Sequence, residues 1–197
     1  MLNLFKLVII GILSAFIVTG CAKAPEQEIT SAKALIESAT TADVQAYAAD
    51  ELAQLNSDLN TALEEVKVQD EKWFGNFDNA KVMLADIKTS ADNVTAVAAQ
   101  RKEEARQAAI TAQSEAVAAI EAAKALLVQA PKGKETKAEI EILNADLTGA
   151  QESLAGIQTS IDQEKYTEAE DSANLIKEKA ASVSSQVQAA LDKKKKK

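Results

Sequence analysis

The stretch IEILNADLTGAQESLAGIQTSI, residues 140–161, decides the fold class of this chain. Its apolar residues recur in alternating steps of three and four, which places one of them on the same face at every turn of a helix. The residues with this spacing are Ile140, Leu143, Leu147, Ala150, Leu154, Ile157 and Ile161. The pattern is typical of the a and d positions of a coiled coil or a helical bundle, so it predicts a long amphipathic helix.

The same spacing recurs in most of the chain, and we call each such row of apolar residues a heptad seam. Good helix formers dominate the composition, and the only two prolines, Pro25 and Pro131, stand at natural breaks. The sequence therefore predicts an all-α protein of long, heptad-patterned antiparallel helices. The further seams are Ala48, Leu52, Leu55, Leu59, Ala62 and Val66; Phe77, Ala80, Leu84, Ile87, Ala91, Val94 and Ala98; and Ala169, Ala173, Ile176, Ala180, Val183, Val187 and Ala190.

No proline or glycine lies between Gly75 and Ala130, so one long helix is predicted there. The charged run of residues 101–106 interrupts its seam, which resumes in a shifted phase from Ala116. We interpret the run as a solvated junction inside the helix, with a loop as the alternative. Turns are predicted at residues 69–76, 131–134 and 162–165.

The chain also repeats itself in three ordered matches. Residues 32–36 match 123–127, residues 55–62 match 143–150, and residues 71–73 match 164–166. We interpret them as an internal duplication of a short helix, a long helix, a turn and a long helix. This predicts two bundles joined by the long helix, with a first unit at residues 21–104 and a second at residues 105–192.

Residues 1–20 differ in kind from the rest of the chain. Lys6 is their only charged residue, and it precedes the apolar run Leu7–Val18. This layout predicts a secretory signal peptide that is removed, since the run is shorter than the roughly 20 residues of a membrane-spanning helix.

The segment Val18-Thr19-Gly20-Cys21 resembles the bacterial lipobox, and Cys21 is the only cysteine of the chain. The resemblance implies cleavage before Cys21 and attachment to a membrane through acyl chains, palmitate among them, on that residue. In lipoproteins of didermic bacteria, Asp directly after the cysteine retains the protein in the inner membrane. Here that residue is Ala22, so the resemblance implies attachment to the outer membrane, facing the periplasm. An ordinary signal peptide that ends near a cysteine is the alternative. More broadly, the chain resembles small bacterial outer-membrane lipoproteins with Ala-rich helical repeats.

The chain ends in five lysines, which predict a disordered tail because like charges repel. They are candidate contacts for peptidoglycan or another anionic polymer of the envelope. The residues are Lys193, Lys194, Lys195, Lys196 and Lys197. With Cys21, Lys197 also resembles the Braun-type major lipoprotein, which implies a covalent link to peptidoglycan. That protein is, however, a much smaller single helix, and the Arg or Tyr beside its last lysine is missing here.

Composition argues against several classes of function. The segment between the signal segment and the tail contains 16 of the 22 basic residues and all 30 acidic ones, so it is strongly acidic. Binding of nucleic acid requires a basic surface instead. Histidine is absent, and lipidation of Cys21 would leave no free thiol. No phosphate-binding loop or calcium-loop spacing accompanies the carboxylates. We therefore expect no enzyme, no metal and no cofactor.

Four aromatic residues, Trp73, Phe74, Phe77 and Tyr166, stand at or just after the two equivalent turns. We expect them to plug the ends of the bundles, and the alternative is an exposed contact for an unknown protein partner. The function predicted is a lipid-anchored periplasmic spacer, tether or adaptor. The alternative is a binding module that recruits or regulates an envelope enzyme or transport machine.

Overall fold

The computed structural model describes residues 23–130 and 136–195, and these ranges contain α-helices and no strand. The all-α prediction is confirmed. The helices are α1 (Glu26–Ala39), α2 (Ala42–Tyr47), α3 (Ala49–Asp70), α4 (Asp78–Val128), α5 (Lys137–Asp162) and α6 (Tyr166–Lys195).

The contacts divide the chain between Ala99 and Gln100, whereas the repeats suggested a division between residues 104 and 105. The first unit consists of α1, α2, α3 and α4 up to Ala99. Its core is made only of apolar side chains from all four helices, with Ala48 between α2 and α3. The core residues are Ala32, Ile36, Ala39, Val44, Ala48, Leu55, Leu59, Ala62, Leu84, Ile87, Ala91, Val94 and Ala98.

The second unit consists of α4 from Gln100, α5 and α6. Gln113 Nε2 donates to Gln158 Oε1 over 3.2 Å, and Lys124 Nζ donates to Gln151 Oε1, so α5 runs antiparallel to α4. Lys177 Nζ lies 2.8 Å from Glu115 Oε2 and fixes α6 beside α4. Three helices therefore pack along one another in this unit.

Burial follows the same register in the two units. All seven residues of the α4 seam from Phe77 to Ala98 are buried, and so is each residue 89 positions later in α6. The buried residues Leu55, Leu59 and Ala62 of α3 likewise match buried residues of α5 at an offset of 88. These offsets support the interpretation of an internal duplication, which stays a prediction. The α6 residues are Tyr166, Ala169, Ala173, Ile176, Ala180, Val183 and Val187.

The register of the buried residues changes one of the three matches between the repeats. The sequence paired Trp73 with Tyr166, but the buried residue that corresponds to Tyr166 is Phe77. The reason is that α3 ends earlier than α5, so the turn before α4 is longer although the chain from Ala62 to Phe77 is one residue shorter than that from Ala150 to Tyr166. The match of residues 71–73 with 164–166 therefore does not follow the register of the buried residues.

The charged run of residues 101–106 is helical, so the loop alternative is wrong. Lys102 and Ala105 are half-buried and continue the seam through the run to the buried Ala109 and Ala112. Two consecutive steps of four occur at Val94, Ala98 and Lys102 and again at Ala112, Ala116 and Ile120, so the phase shifts once at the start of the run and once after it. The predicted turn at residues 131–134 lies outside the described residues.

Candidate functional site

The turn between α3 and α4, residues 71–77, is held by hydrogen bonds at both ends. The N–H of Lys72 donates to the carbonyl of Gln69, 3.2 Å away, and the N–H of Asn76 donates to Gln69 Oε1 at 3.3 Å. Asn76 Oδ1 in turn accepts from the N–H of Asp78 at 2.8 Å, which satisfies one of the free donors at the start of α4. The turn therefore folds back on the last residues of α3.

Gly75 is required by this close approach. A Cβ atom on Gly75 would lie 2.1 Å from the carbonyl oxygen of Gln69, much nearer than van der Waals contact allows. The neighbour is backbone, so it cannot move aside as the end of a flexible side chain would. Only glycine fits this position without a shift of the turn.

The four aromatic residues separate into two pairs. Phe77 and Tyr166 are 3% and 6% exposed and close the ends of their units, as expected. Trp73 and Phe74 are 90% and 89% exposed, so for them the expectation of plugs is wrong. Leaving a side chain of this size in water forgoes about 1.5–3 kcal/mol of burial free energy. Two such neighbours on a well-held turn form the strongest candidate for a contact site in the described residues.

The base of the same turn meets the first described residues of the chain. Val66, Phe77 and Ala80 form a small cluster, and Ala24 and Ile29 pack against it. Ala24 stands three positions after Cys21 in the sequence. Cys21 itself lies outside the described residues, so its predicted lipidation stays a prediction.

The turn between α5 and α6 is built differently. Lys165 N–H donates to the carbonyl of Ser160 at 2.9 Å and Glu164 N–H to that of Ile161 at 3.0 Å, which is the Schellman arrangement. Glu164 adopts φ 60°, a left-handed conformation that favours glycine. Its carboxylate lies 2.6 Å from Lys102 Nζ.

The charged run on α4 carries an ion pair inside one helical turn. Arg106 Nε and Nη2 donate to the two carboxylate oxygens of Glu103 at 2.9 and 3.0 Å, and Gln107 Nε2 adds a bond of 2.8 Å. These donors, Arg106 first, lower the pKa of Glu103 to about 2, and the same hydrogen bond raises the pKa of Arg106. The pair is exposed, so its weight in the stability of the helix is small.

The tail differs from the sequence expectation. Helix α6 continues through Lys195, so Lys193, Lys194 and Lys195 are helical where a disordered segment was predicted. Positive charge at the C-terminal end of a helix is favourable, which accounts for the extension. Lys193 is exposed, and Lys196 and Lys197 lie outside the described residues.

Among the described residues no polar side chain is buried, and no group of three His, Cys, Asp or Glu residues is arranged to hold a metal ion. None of the described helices is long and apolar enough to cross a membrane. A shallow groove of about 240 Å³ in the first unit is lined by Asp58, Asp86 and Met83 among others. It brings together no constellation that would perform chemistry.

Comparison of the chain with family models, with curated proteins and with solved structures finds no match.

The sequence pointed to the four aromatic residues with burial as the expectation and exposure as the alternative, and it did not show what holds Trp73 and Phe74 in place. The signal was present in Gly75-Asn76, which is a common turn composition that ends just before a helix. Glu164 was missed because nothing in its residue type indicates a left-handed conformation.

Proposed function

We propose that this chain is a lipid-anchored helical spacer or adaptor of a bacterial cell envelope. The observation that carries the proposal is the packing of Ala24 against the cluster of Val66, Phe77 and Ala80. The folded body begins within three residues of the lipobox cysteine, so an acyl anchor on Cys21 would hold the first unit directly at the membrane rather than on a long linker. The core of the described residues, which is made of apolar side chains, suits a structural role.

The anchor is tested by labelling cells with a palmitate analogue and recovering the full chain from the membrane fraction. We expect label on the wild-type chain and none on Cys21→Ser, because the thioether requires the thiol. Thr19→Ser is the matched control, since it keeps a small residue at its position in the lipobox, and it should be labelled like the wild type. An unlabelled wild-type chain would refute the anchor.

The lysines at the end of α6 extend the proposal to the cell wall. Five adjacent positive charges favour electrostatic contact with an anionic envelope polymer such as peptidoglycan. Purified sacculi boiled in detergent should release the protein completely. Protein that stays until muramidase digestion, and does so only with Lys193–Lys197 present, would instead indicate the covalent link through Lys197.

A second candidate function is a binding module that recruits or regulates an envelope enzyme or transport machine. The exposed pair Trp73 and Phe74 favours it, since exposed aromatic residues often dominate protein interfaces. Crosslinking in cells should then lose a defined product in Trp73→Ser and keep it in Val82→Ser, which changes an exposed apolar residue elsewhere on the first unit. Identical crosslinking in both variants would count against this candidate.

A further inference from the structure

We propose that Trp73 and Phe74 form a second membrane contact, which inserts into the interface of the bilayer that holds the lipid on Cys21. The inference rests on the proposed lipid anchor. It assigns the exposed aromatic pair to a lipid surface rather than to a protein partner.

The first step is the position of the anchor relative to the turn. Three peptide units separate Cys21 from Ala24, so their Cα atoms are at most about 11 Å apart even in a fully extended chain. Ala24 packs against Val66, Phe77 and Ala80. Val66 belongs to the last turns of α3 and Phe77 directly precedes α4, so the acyl chains must leave the protein at the end of the first unit that carries residues 71–77.

The second step is the chemistry of the turn. Trp73 and Phe74 are the most exposed large apolar residues of the described chain, and they are adjacent. Tryptophan is enriched at membrane–water interfaces because its ring is apolar and its indole N–H can still reach polar groups. A helix or turn that lies at an interface buries its apolar residues roughly 5–10 Å into the boundary between headgroups and acyl chains. This depth is within reach of two side chains at the tip of a turn.

The third step is the rigidity of the turn. Gly75 lies against the carbonyl of Gln69, and the side chain of Gln69 accepts from Asn76, so the tip is fixed to the end of α3. A fixed tip loses little conformational freedom when it meets a surface. The turn and its flanks carry the acidic Asp70, Glu71 and Asp78 beside the basic Lys72. Contact with lipid would therefore be apolar rather than electrostatic.

The geometry also assigns an orientation to the first unit. The opposite end is formed by α2, and α3 spans the distance between the two ends. With 22 residues, α3 is about 33 Å long at 1.5 Å per residue. A residue such as the exposed Gln45 in α2 would stand far outside the bilayer.

The test uses the full acylated chain, reconstituted in vesicles of phosphatidylethanolamine and phosphatidylglycerol that contain brominated lipids. Trp73 is the only tryptophan of the chain, so its fluorescence reports on this turn alone. Mass spectrometry first establishes that Cys21 is acylated. We expect quenching of Trp73 by bromine near the headgroups to be several-fold stronger than quenching of the control Trp73→Phe/Gln45→Trp, and not weakened by added salt.

Phe74→Ser keeps the reporter and should weaken the quenching of Trp73, because the neighbouring ring no longer favours insertion. An acylated chain in which Trp73 is quenched no more than the tryptophan at position 45 would overturn the lipid contact, leave the anchor standing, and return the pair to a protein partner. A chain without acyl groups would refute the proposed anchor and this inference with it. Circular dichroism verifies that every variant keeps the helical content of the wild type.

Discussion

The two units end differently at the turns that precede α4 and α6. In the second unit α5 continues to Asp162, and three residues, 163–165, lead into α6. In the first unit α3 stops at Asp70, and seven residues, 71–77, precede α4. At the offset of 88 that relates α3 to α5, Ile157 and Ile161 correspond to Gln69 and Trp73. The heptad register therefore reaches Trp73, but the helix does not.

The third helix of each unit explains the difference. In the second unit, the hydrogen bond from Gln113 to Gln158 places α4 beside the end of α5, where Ala109 and Ala112 are buried. In the first unit α1 begins only at Glu26, which at the offset of 91 corresponds to residue 117 of α4. The described residues therefore supply no helix to cover the last turn that α3 would need. The heptad seam therefore continues as helix in α5, where a third helix covers it, and gives way to a turn after α3, where no described helix covers it.

The largest expected effect comes from truncating equivalent core residues in the two units. Ile87 and Ile176 stand 89 positions apart and are both buried. We expect Ile87→Ala and Ile176→Ala each to lower the free energy of unfolding by about 2–5 kcal/mol, because the cavity left by three methyl and methylene groups adds to the lost transfer free energy. Urea denaturation followed by circular dichroism measures the loss.

Hydrogen exchange on the same variants tests whether the units respond separately. Ile87→Ala should accelerate exchange mainly in α3, and Ile176→Ala mainly in α5, because each core belongs to one unit. Equal acceleration in both helices by either variant would mean that the two units unfold as one.

Two glycines provide the next largest contrast. We expect Gly75→Ala to destabilise the protein by about 1–3 kcal/mol, since its Cβ would meet the carbonyl of Gln69. Gly149→Ala in α5 meets no atom within 4 Å and should stabilise the protein by about 0.5–1 kcal/mol through helix propensity. Thermal unfolding of the pair measures both signs. A neutral Gly75→Ala would show that the turn is looser than its hydrogen bonds indicate.

A smaller effect is expected at the tighter turn of the second unit. Glu164→Gly relieves the left-handed conformation but removes the ion pair with Lys102, which is exposed and worth about 0–1 kcal/mol. We expect a net stabilisation of at most about 1 kcal/mol, measured as a shift of the urea midpoint. Glu164→Gln removes only the charge and is the control. Both variants lose the ion pair, so a glycine variant less stable than the Gln variant would mean that the left-handed conformation of Glu164 stores no strain for glycine to relieve.

The smallest effect concerns the charged run where the two units meet along the sequence. Glu103 should titrate with a pKa of about 2, and Arg106→Gln should raise this pKa toward the usual 4.5. Because the pKa is lowered in the folded state, any stabilisation is present above the unfolded-state pKa and is lost as the pH falls toward 2. NMR titration of the Glu103 carboxyl carbon measures it. An unchanged pKa in Arg106→Gln would exclude the arginine as its cause.

Much of the fold could be predicted from the sequence, because a seam of Leu, Ile, Val and Ala in steps of three and four fits an amphipathic helix and few other structures. Every residue of the predicted seam from Phe77 to Ala98 is buried, and the helix from residue 78 runs past the charged run without a break. Lys102 shows why that run does not end the helix: it takes a seam position, is half-buried, and pairs with Glu164. Its aliphatic stem can cover apolar surface while its amine stays at the rim.

The turns and caps could be predicted only in part, because they depend on which helix covers which end. The cap of α2 is Thr41 and not its neighbour Thr40, because Thr41 Oγ1 accepts the hydrogen bond from the N–H of Val44. Local residue type does not distinguish the two neighbours. For the same reason the exposure of Trp73 could not be read from its heptad position, since burial there requires a third helix that begins too late.

The apolar core has a consequence for chemical durability. The buried side chains of the described residues include no cysteine, methionine or tryptophan, the residues that oxidants attack most readily. Met83 is only partly buried at the edge of the first core, and Trp73 lies outside it. In an oxidising compartment, oxidation would modify the partly buried Met83 and the exposed Trp73, and it would leave the packed cores of both units intact.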